Sequence, residues 1–249
     1  MLPETSPLPL DEAPPRAPMS RSRAALEVLV CSGYPTQLLI GLLLASIGIR
    51  PAPDGRLSAT FLFANLTIDS MLLLALIWFF LREAGDDPRR LFLGRRRVSD
   101  EVRLGLLTVP FMLALVVGIQ LLIQTLAPSL RNVPESPFQD LFTSRWVLAG
   151  FIVLLVIAGG VREELQRAFL PHRFEHHLGG PLIGLVVTSL AFGLGHTLQG
   201  WDAALATGVL GAMWGAFYLA RRSAIAAIAS HGCFNIVQVV AGYAVVSGG

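Results

Sequence analysis

The sequence predicts an all-α polytopic membrane protein with about seven transmembrane helices. Three observations carry this. The chain is 53% hydrophobic and only 14% charged, with a mean hydropathy of +0.63, whereas soluble domains carry about 25% charged residues. Apolar runs of about 20 residues recur along it, the length at which a helix crosses a hydrocarbon core about 30 Å thick. The basic residues, all arginine, gather at the ends of these runs rather than along one face.

Residues 1–23 carry Pro3, Pro7, Pro9, Pro14, Pro15 and Pro18. Such a segment neither forms a helix nor buries a core, and it reads as a disordered cytoplasmic tail. Residues 24–130 read as N-terminal transmembrane helices and residues 140–246 as a separate C-terminal region. The apolar runs cover approximately 25–49, 60–82, 102–127, 144–170, 181–199, 202–220 and 223–246. Pro35 and Pro110 interrupt two of them, which neighbouring helices can tolerate. No cleavable leader and no internal repeat is evident.

The connection between the second and third runs holds Arg82, Arg89, Arg90, Arg95, Arg96, Arg97 and Arg103, and basic connections face the cytoplasm. A cytoplasmic N-terminus also places Arg16, Arg21, Arg23, Arg173, Arg221 and Arg222 inside. Only Arg50, Arg56, Arg131 and Arg145 then lie outside, a ratio of thirteen to four with Arg162 and Arg167 set aside. A net charge of +2 is too small to suggest nucleic acid as a partner. Cys31 and Cys233 lie far apart in apolar runs and read as small buried hydrophobes, not as a disulfide or a zinc site. The absence of Lys and of organelle signals suggests a bacterial source and the inner membrane.

Against this background, Glu163, Glu164, Arg167, His196, His231 and Asn235 stand out. Ionisable groups at membrane depth cost roughly 2.5–3.5 kcal/mol each even on lenient insertion scales, so they mark candidate sites. At about 1.5 Å per helical residue, Glu163 lies roughly 15 Å from the cytoplasmic face, His196 roughly 22 Å, His231 roughly 12 Å and Asn235 roughly 18 Å. The groups can therefore share one cavity. Adjacent carboxylates repel in low dielectric, and Arg167 is within reach of both on a helix, so one Glu is held ionised while the other is free for proton transfer. His231 and Asn235, at i and i+4, share a helix face. These residue types suit amide hydrolysis in two ways. Glu and His can activate water while His and Asn hold an oxyanion. Alternatively, His196 and His231 with a Glu can bind Zn²⁺, whose water is the nucleophile.

The three elements resemble the CPBP family of intramembrane proteases, which groups CAAX prenyl endopeptidases with Abi-type bacteriocin-processing and bacteriocin-immunity proteins. The family's pattern is E-E-x-x-x-R, F-x-x-x-H and H-x-x-x-N. Phe192 to His196 and His231 to Asn235 fit the second and third elements, and the likeness covers about residues 140–245. Arg167 comes one residue earlier than the family's Arg. The register that keeps Glu163 as base, with Glu164 paired to Arg167 at i+3, avoids placing Arg162 where a base belongs. The resemblance implies a four-helix catalytic core in the C-terminal half. It implies that Glu163 and His196 activate water while His231 and Asn235 hold the oxyanion, with zinc as the rival cofactor. The implied partners are the lipid bilayer and a membrane-associated protein or peptide, a prenylated CAAX tail being disfavoured by a bacterial source.

Two other function classes fit the same chain. One is a non-catalytic protein of this fold acting as an immunity or regulatory binding factor. The other is a proton-coupled transporter, against which the lack of an inverted repeat speaks. Three lesser features complete the reading. Asp69 is expected to pair with Asn or Ser on a neighbouring helix, and Gly211-x-x-x-Gly215 is expected to make a close helix contact within the bundle. His172, His176 and His177 read as a solvated loop, with accessory metal binding as the alternative.

Overall fold

A computed structural model describes residues 19–53, 56–133, 137–138 and 144–248. The expected tail falls largely outside these, but its last residues do not. Helix α1 (Arg21–Val30) begins where Ser20 Oγ accepts a hydrogen bond from the Arg23 amide at 3.2 Å, so the boundary at residue 23 is too late.

The first apolar run is not one continuous helix. It breaks between α1 and α2 (Tyr34–Ser46) with a bend of 44°. Gly33 at the break has φ +89°, a left-handed conformation that side chains disfavour. Pro35 sits in the first turn of α2, where its missing amide costs nothing. Together they make Pro35 a helix starter, not the tolerated interruption expected.

Helix α3 (Ala59–Ala84) starts at the Ser58 cap, whose hydroxyl accepts from the Phe61 amide at 3.2 Å. A short α4 (Pro88–Leu93), capped by Asp87, leads to α5 (Val98–Leu126). Helix α6 (Arg145–Leu155) passes through a π-helical segment, Val156–Arg162, into α7 (Glu163–His177), so that one apolar helix runs from Arg145 to His177. The chain continues as α8 (Pro181–Leu194), α9 (Trp201–Arg221) and α10 (Ile225–Gly248).

Among the described residues, five helices are long and apolar enough to cross a membrane, six if α1 and α2 count as one span. The expected fifth span, over 181–199, falls short. Its helix α8 has 14 residues, about 21 Å, against a core of about 30 Å. It stops at Leu194 within the Gly193-Leu194-Gly195 stretch and gives way to a turn and a short 3-10 segment, Thr197–Gln199. Asn132 then caps α9 by accepting from the Trp201 amide at 3.0 Å.

The outer surface is that of an integral membrane protein. Leu38, Met71, Leu107 and Leu190 are 65–69% exposed among many other bare aliphatic side chains, more apolar surface than soluble monomers tolerate. Inside, the buried charges are paired. At one end of the bundle, buried Arg173 bonds Glu27 at 2.7 Å and Asp86 at 2.5 Å and donates to the Phe80 carbonyl. Arg221 bonds buried Glu101 at 2.5 Å, and Arg222 bonds Glu175 at 2.5 and 2.8 Å. The Ala224 amide donates to the Phe92 carbonyl at 2.8 Å. These contacts gather α1, α3, α4, α5, α7, α9 and α10 at the arginine-rich end of the bundle. The Gly211 and Gly215 contact lies within the bundle, as expected: β-carbons there would meet Phe192 and Leu185 of α8.

Candidate active site

The site forms where the Arg145–His177 helix changes its winding. A π segment adds one residue to the turn, which advances everything after it by about 100°. Val156–Arg162 is such a segment, and Glu163 and Glu164 follow it directly. Its glycines let α10 come unusually close. A β-carbon at Gly160 would lie 3.1 Å from Gly232 Cα, and one at Gly159 would lie 2.5 Å from Asn235 Nδ2 and 3.9 Å from His231 Nε2. The space a methyl group would fill at Gly159 is therefore flanked by the two polar groups of α10.

Glu164 is buried, and its contacts fall on one oxygen, while the buried Oε2 has no hydrogen-bond partner. Its Oε1 binds Arg167 Nη1 and accepts from His231 Nδ1 at 2.7 Å. The Glu164–Arg167 pair at i+3 is the one expected from the sequence. That hydrogen bond fixes the His231 tautomer with its proton on Nδ1, leaving Nε2 to face Glu163 Oε2 at 4.0 Å. Trp214 of α9 stacks on the His231 ring with centroids 3.8 Å apart and planes at 14°. Trp214 is held in turn by a bond from its Nε1 to Ser230 Oγ at 3.1 Å, and Thr108 bonds the same oxygen at 2.9 Å. The Arg167 guanidinium lies 4.4 Å from the Phe192 ring centroid, so rings from α8 and α9 close over the ion pair.

Glu163 is the freer carboxylate. Its side chain is 18% exposed against 1% for Glu164, and its ionic neighbours are Arg162 Nη1 at 3.6 Å and His231 Nε2. Arg162 is anchored on its other side by Asp69 of α3. Asp69 also accepts from Thr36 Oγ1 at 2.5 Å and Gln37 Nε2 at 3.3 Å. This corrects the expected Asn or Ser partner. Asp69 is a fully buried carboxylate, and such a group is stabilised by a cation far more than by an amide or hydroxyl. Arg162, left out of the arginine count, is that cation. Replacing Asp69 by Asn should lower the unfolding free energy in detergent by about 1–3 kcal/mol, because Arg162 then keeps only the more distant Glu163, at 3.6 Å, as a counter-charge; thermal melts of the two proteins check this.

His196 sits beyond the end of α8, with Nδ1 bonded to the Phe192 carbonyl at 2.8 Å. Its ring centroid is 4.8 Å from that of Phe192, which is 6.3 Å from that of His231. Phe192 thus lies beside both imidazoles, and among the described residues no hydrogen bond links His196 to Glu163 or His231. In this arrangement His196, His231 and Glu163 do not offer three donors to one ion. The triad of metal-ligating groups found among the described residues is instead His172, Glu175 and His176. Those histidines are not in a loop as expected: α7 runs through Pro171 to His177.

Sequence reasoning missed Trp214, Asp69 as the partner of Arg162, and Gly159. The Ala158-Gly159-Gly160 run ahead of the Glu pair was the available signal for the last. Gly159→Ala should cut any activity of the site at least tenfold while shifting the melting temperature little, since the new methyl displaces the end of one side chain, Asn235. Turnover measured beside a thermal melt checks both parts.

The fold and site together define an all-helical integral membrane protein that encloses a carboxylate–histidine centre within its bundle. Residues 144–237, the segment that contains Glu163 to Asn235, match the family described as type II CAAX prenyl endopeptidase Rce1-like. No curated protein and no solved structure matches the chain.

Proposed function

We propose that this chain is an intramembrane endopeptidase that hydrolyses a peptide bond in a membrane-associated protein or peptide. The observation that carries the reading is the array Glu164–His231–Glu163. It places one buried carboxylate, paired with Arg167, beneath an imidazole and one freer carboxylate in front of it.

Glu163 takes a proton from water as the water attacks the scissile carbonyl, with His196 as the second polar group at the rim of the site. The oxyanion that forms is held by Asn235 Nδ2–H and by His231. Glu164, paired with Arg167, holds the His231 ring through Nδ1 so that Nε2 is turned to the site. Glu163 then returns its proton to the departing amine, completing hydrolysis with no net change in the site. Zinc held by His196 and His231 is the rival route. It would require His196 and His231 to turn a ring nitrogen each to one point, and bound zinc that disappears in the His231→Gln protein would establish it.

The arginine-rich end is assigned to the cytoplasm of a bacterial inner membrane, with the N-terminus on that side. The substrate reaches the site from the bilayer as a tethered tail. The test uses purified chain in liposomes and a panel of fluorescence-quenched peptides, each acylated or prenylated at one end. Cleavage of members of the panel, with products identified by mass, supports the reading. Binding of the same peptides without a cleaved product, at any pH between 5 and 9, would make the chain a non-catalytic binding factor instead.

A further inference from the structure

We propose that His172, Glu175 and His176 form a second site, for a divalent transition-metal ion of the zinc class, at the arginine-rich end of α7. The three donor atoms lie within 4.8 Å of one another. They fall at i, i+3 and i+4 on one helix, so a single turn presents them to the same point. His172 and Glu175 are half-buried and His176 is exposed. The imidazole rings of His172 and His176 stand edge to face with centroids 4.5 Å apart.

Two further observations point outward from this turn to a ligand. Glu175 and His176, with His177, line an open cavity of about 490 Å³ that Met19, Arg21, Gly179 and Gly180 also line, so an ion has a path of entry. Asp86 Oδ2 lies 3.3 Å from His172 Nε2, the carboxylate partner that metal-bound imidazoles ordinarily keep to fix their orientation.

The donor set selects the ion. Two imidazoles and one carboxylate suit zinc and its first-row neighbours, whereas magnesium and calcium require oxygen ligands. Arg222 opposes binding, since it holds both oxygens of Glu175. Its side chain is 54% exposed, however, and can yield one oxygen to the ion while keeping the other. Because α7 rises about 1.5 Å per residue, His172 lies about 14 Å from Glu163, so this site is separate from the proposed catalytic centre. A bound ion would tie the end of the helix carrying Glu163 and Glu164 to Asp86, beyond α3.

The test is metal titration of the full chain, purified in detergent with a tag that contains no histidine. The wild type is expected to bind one Zn²⁺ per chain, and Co²⁺ should show the visible absorption band of a nitrogen–oxygen site. Excess Mg²⁺ should leave both unchanged. His176→Gln should weaken binding at least tenfold and Glu175→Gln should also weaken it, with wild-type helicity and melting temperature. His177→Gln and His231→Gln should bind as the wild type does. The proposal is overturned if the wild type retains no zinc, if His176→Gln and Glu175→Gln bind normally, or if binding is lost with His231→Gln. None of these readouts is peptide cleavage, so this inference and the protease reading can fail independently.

Discussion

Glu163→Gln should give a protein as stable as the wild type whose cleavage rate is lower by about 10²–10⁴-fold, the contribution of a positioned general base. The substitution keeps the shape of the side chain and removes only its capacity to take a proton. Stability should hold because Glu163 is the partly exposed member of the pair, with ionic neighbours no closer than 3.6 Å. The loss should appear in kcat more than in KM, since the group acts on water in the transition state and grips no part of the substrate. Steady-state kinetics beside a thermal melt checks all three statements. Wild-type turnover in this variant would remove Glu163 from the mechanism.

Arg167→Ala should do the opposite. Glu164 is buried against Arg167 and His231, and removing the cation leaves an uncompensated carboxylate in the bundle. Breaking a buried pair in this way costs about 3–5 kcal/mol. The guanidinium also lies against Phe192 and the methylenes of the same side chain fill space beside Gly215, so truncation opens a gap between α7, α8 and α9. The variant should melt well below the wild type and lose activity together with its fold. Arg167→Lys should recover part of the charge but not the planar stacking. Melting curves in one detergent for the wild type and both variants test the order. Equal melting for Arg167→Ala and the wild type would mean that the ion pair does not hold the site together.

The contrast between these two residues was largely readable in the sequence. Glu164 and Arg167 stand three apart on a helix, and that spacing alone specifies their pairing. His231 and Asn235 share a face for the same reason. Apolar run length found most of the spans, because crossing a bilayer demands a minimum number of apolar residues whatever the packing.

The misread features depend on contacts between distant segments or on winding that hydropathy does not register. The first span breaks because Gly33 takes a left-handed conformation, and hydropathy does not see a dihedral angle. The 181–199 run is apolar enough to cross but ends its helix at Leu194, where glycines and the Asn132 cap redirect the chain. The π segment ahead of the two Glu residues lies where Gly159 and Gly160 pack against α10, a contact that no local period encodes. Asp69 and Arg162 are 93 positions apart, so their pairing is a property of the assembled bundle, as is the stacking of Trp214 on His231.

The central claim is that Glu163 and His231 serve one chemical step in one site assembled from α7 and α10. Its most direct test is the cleavage rate of Glu163→Gln, His231→Gln and the double variant under single-turnover conditions. Residues that act as a unit lose most of their effect with the first substitution. The double variant should therefore be no slower than the slower single variant, within a few-fold. Losses that multiply, or a single variant that keeps the wild-type rate, would contradict a shared step.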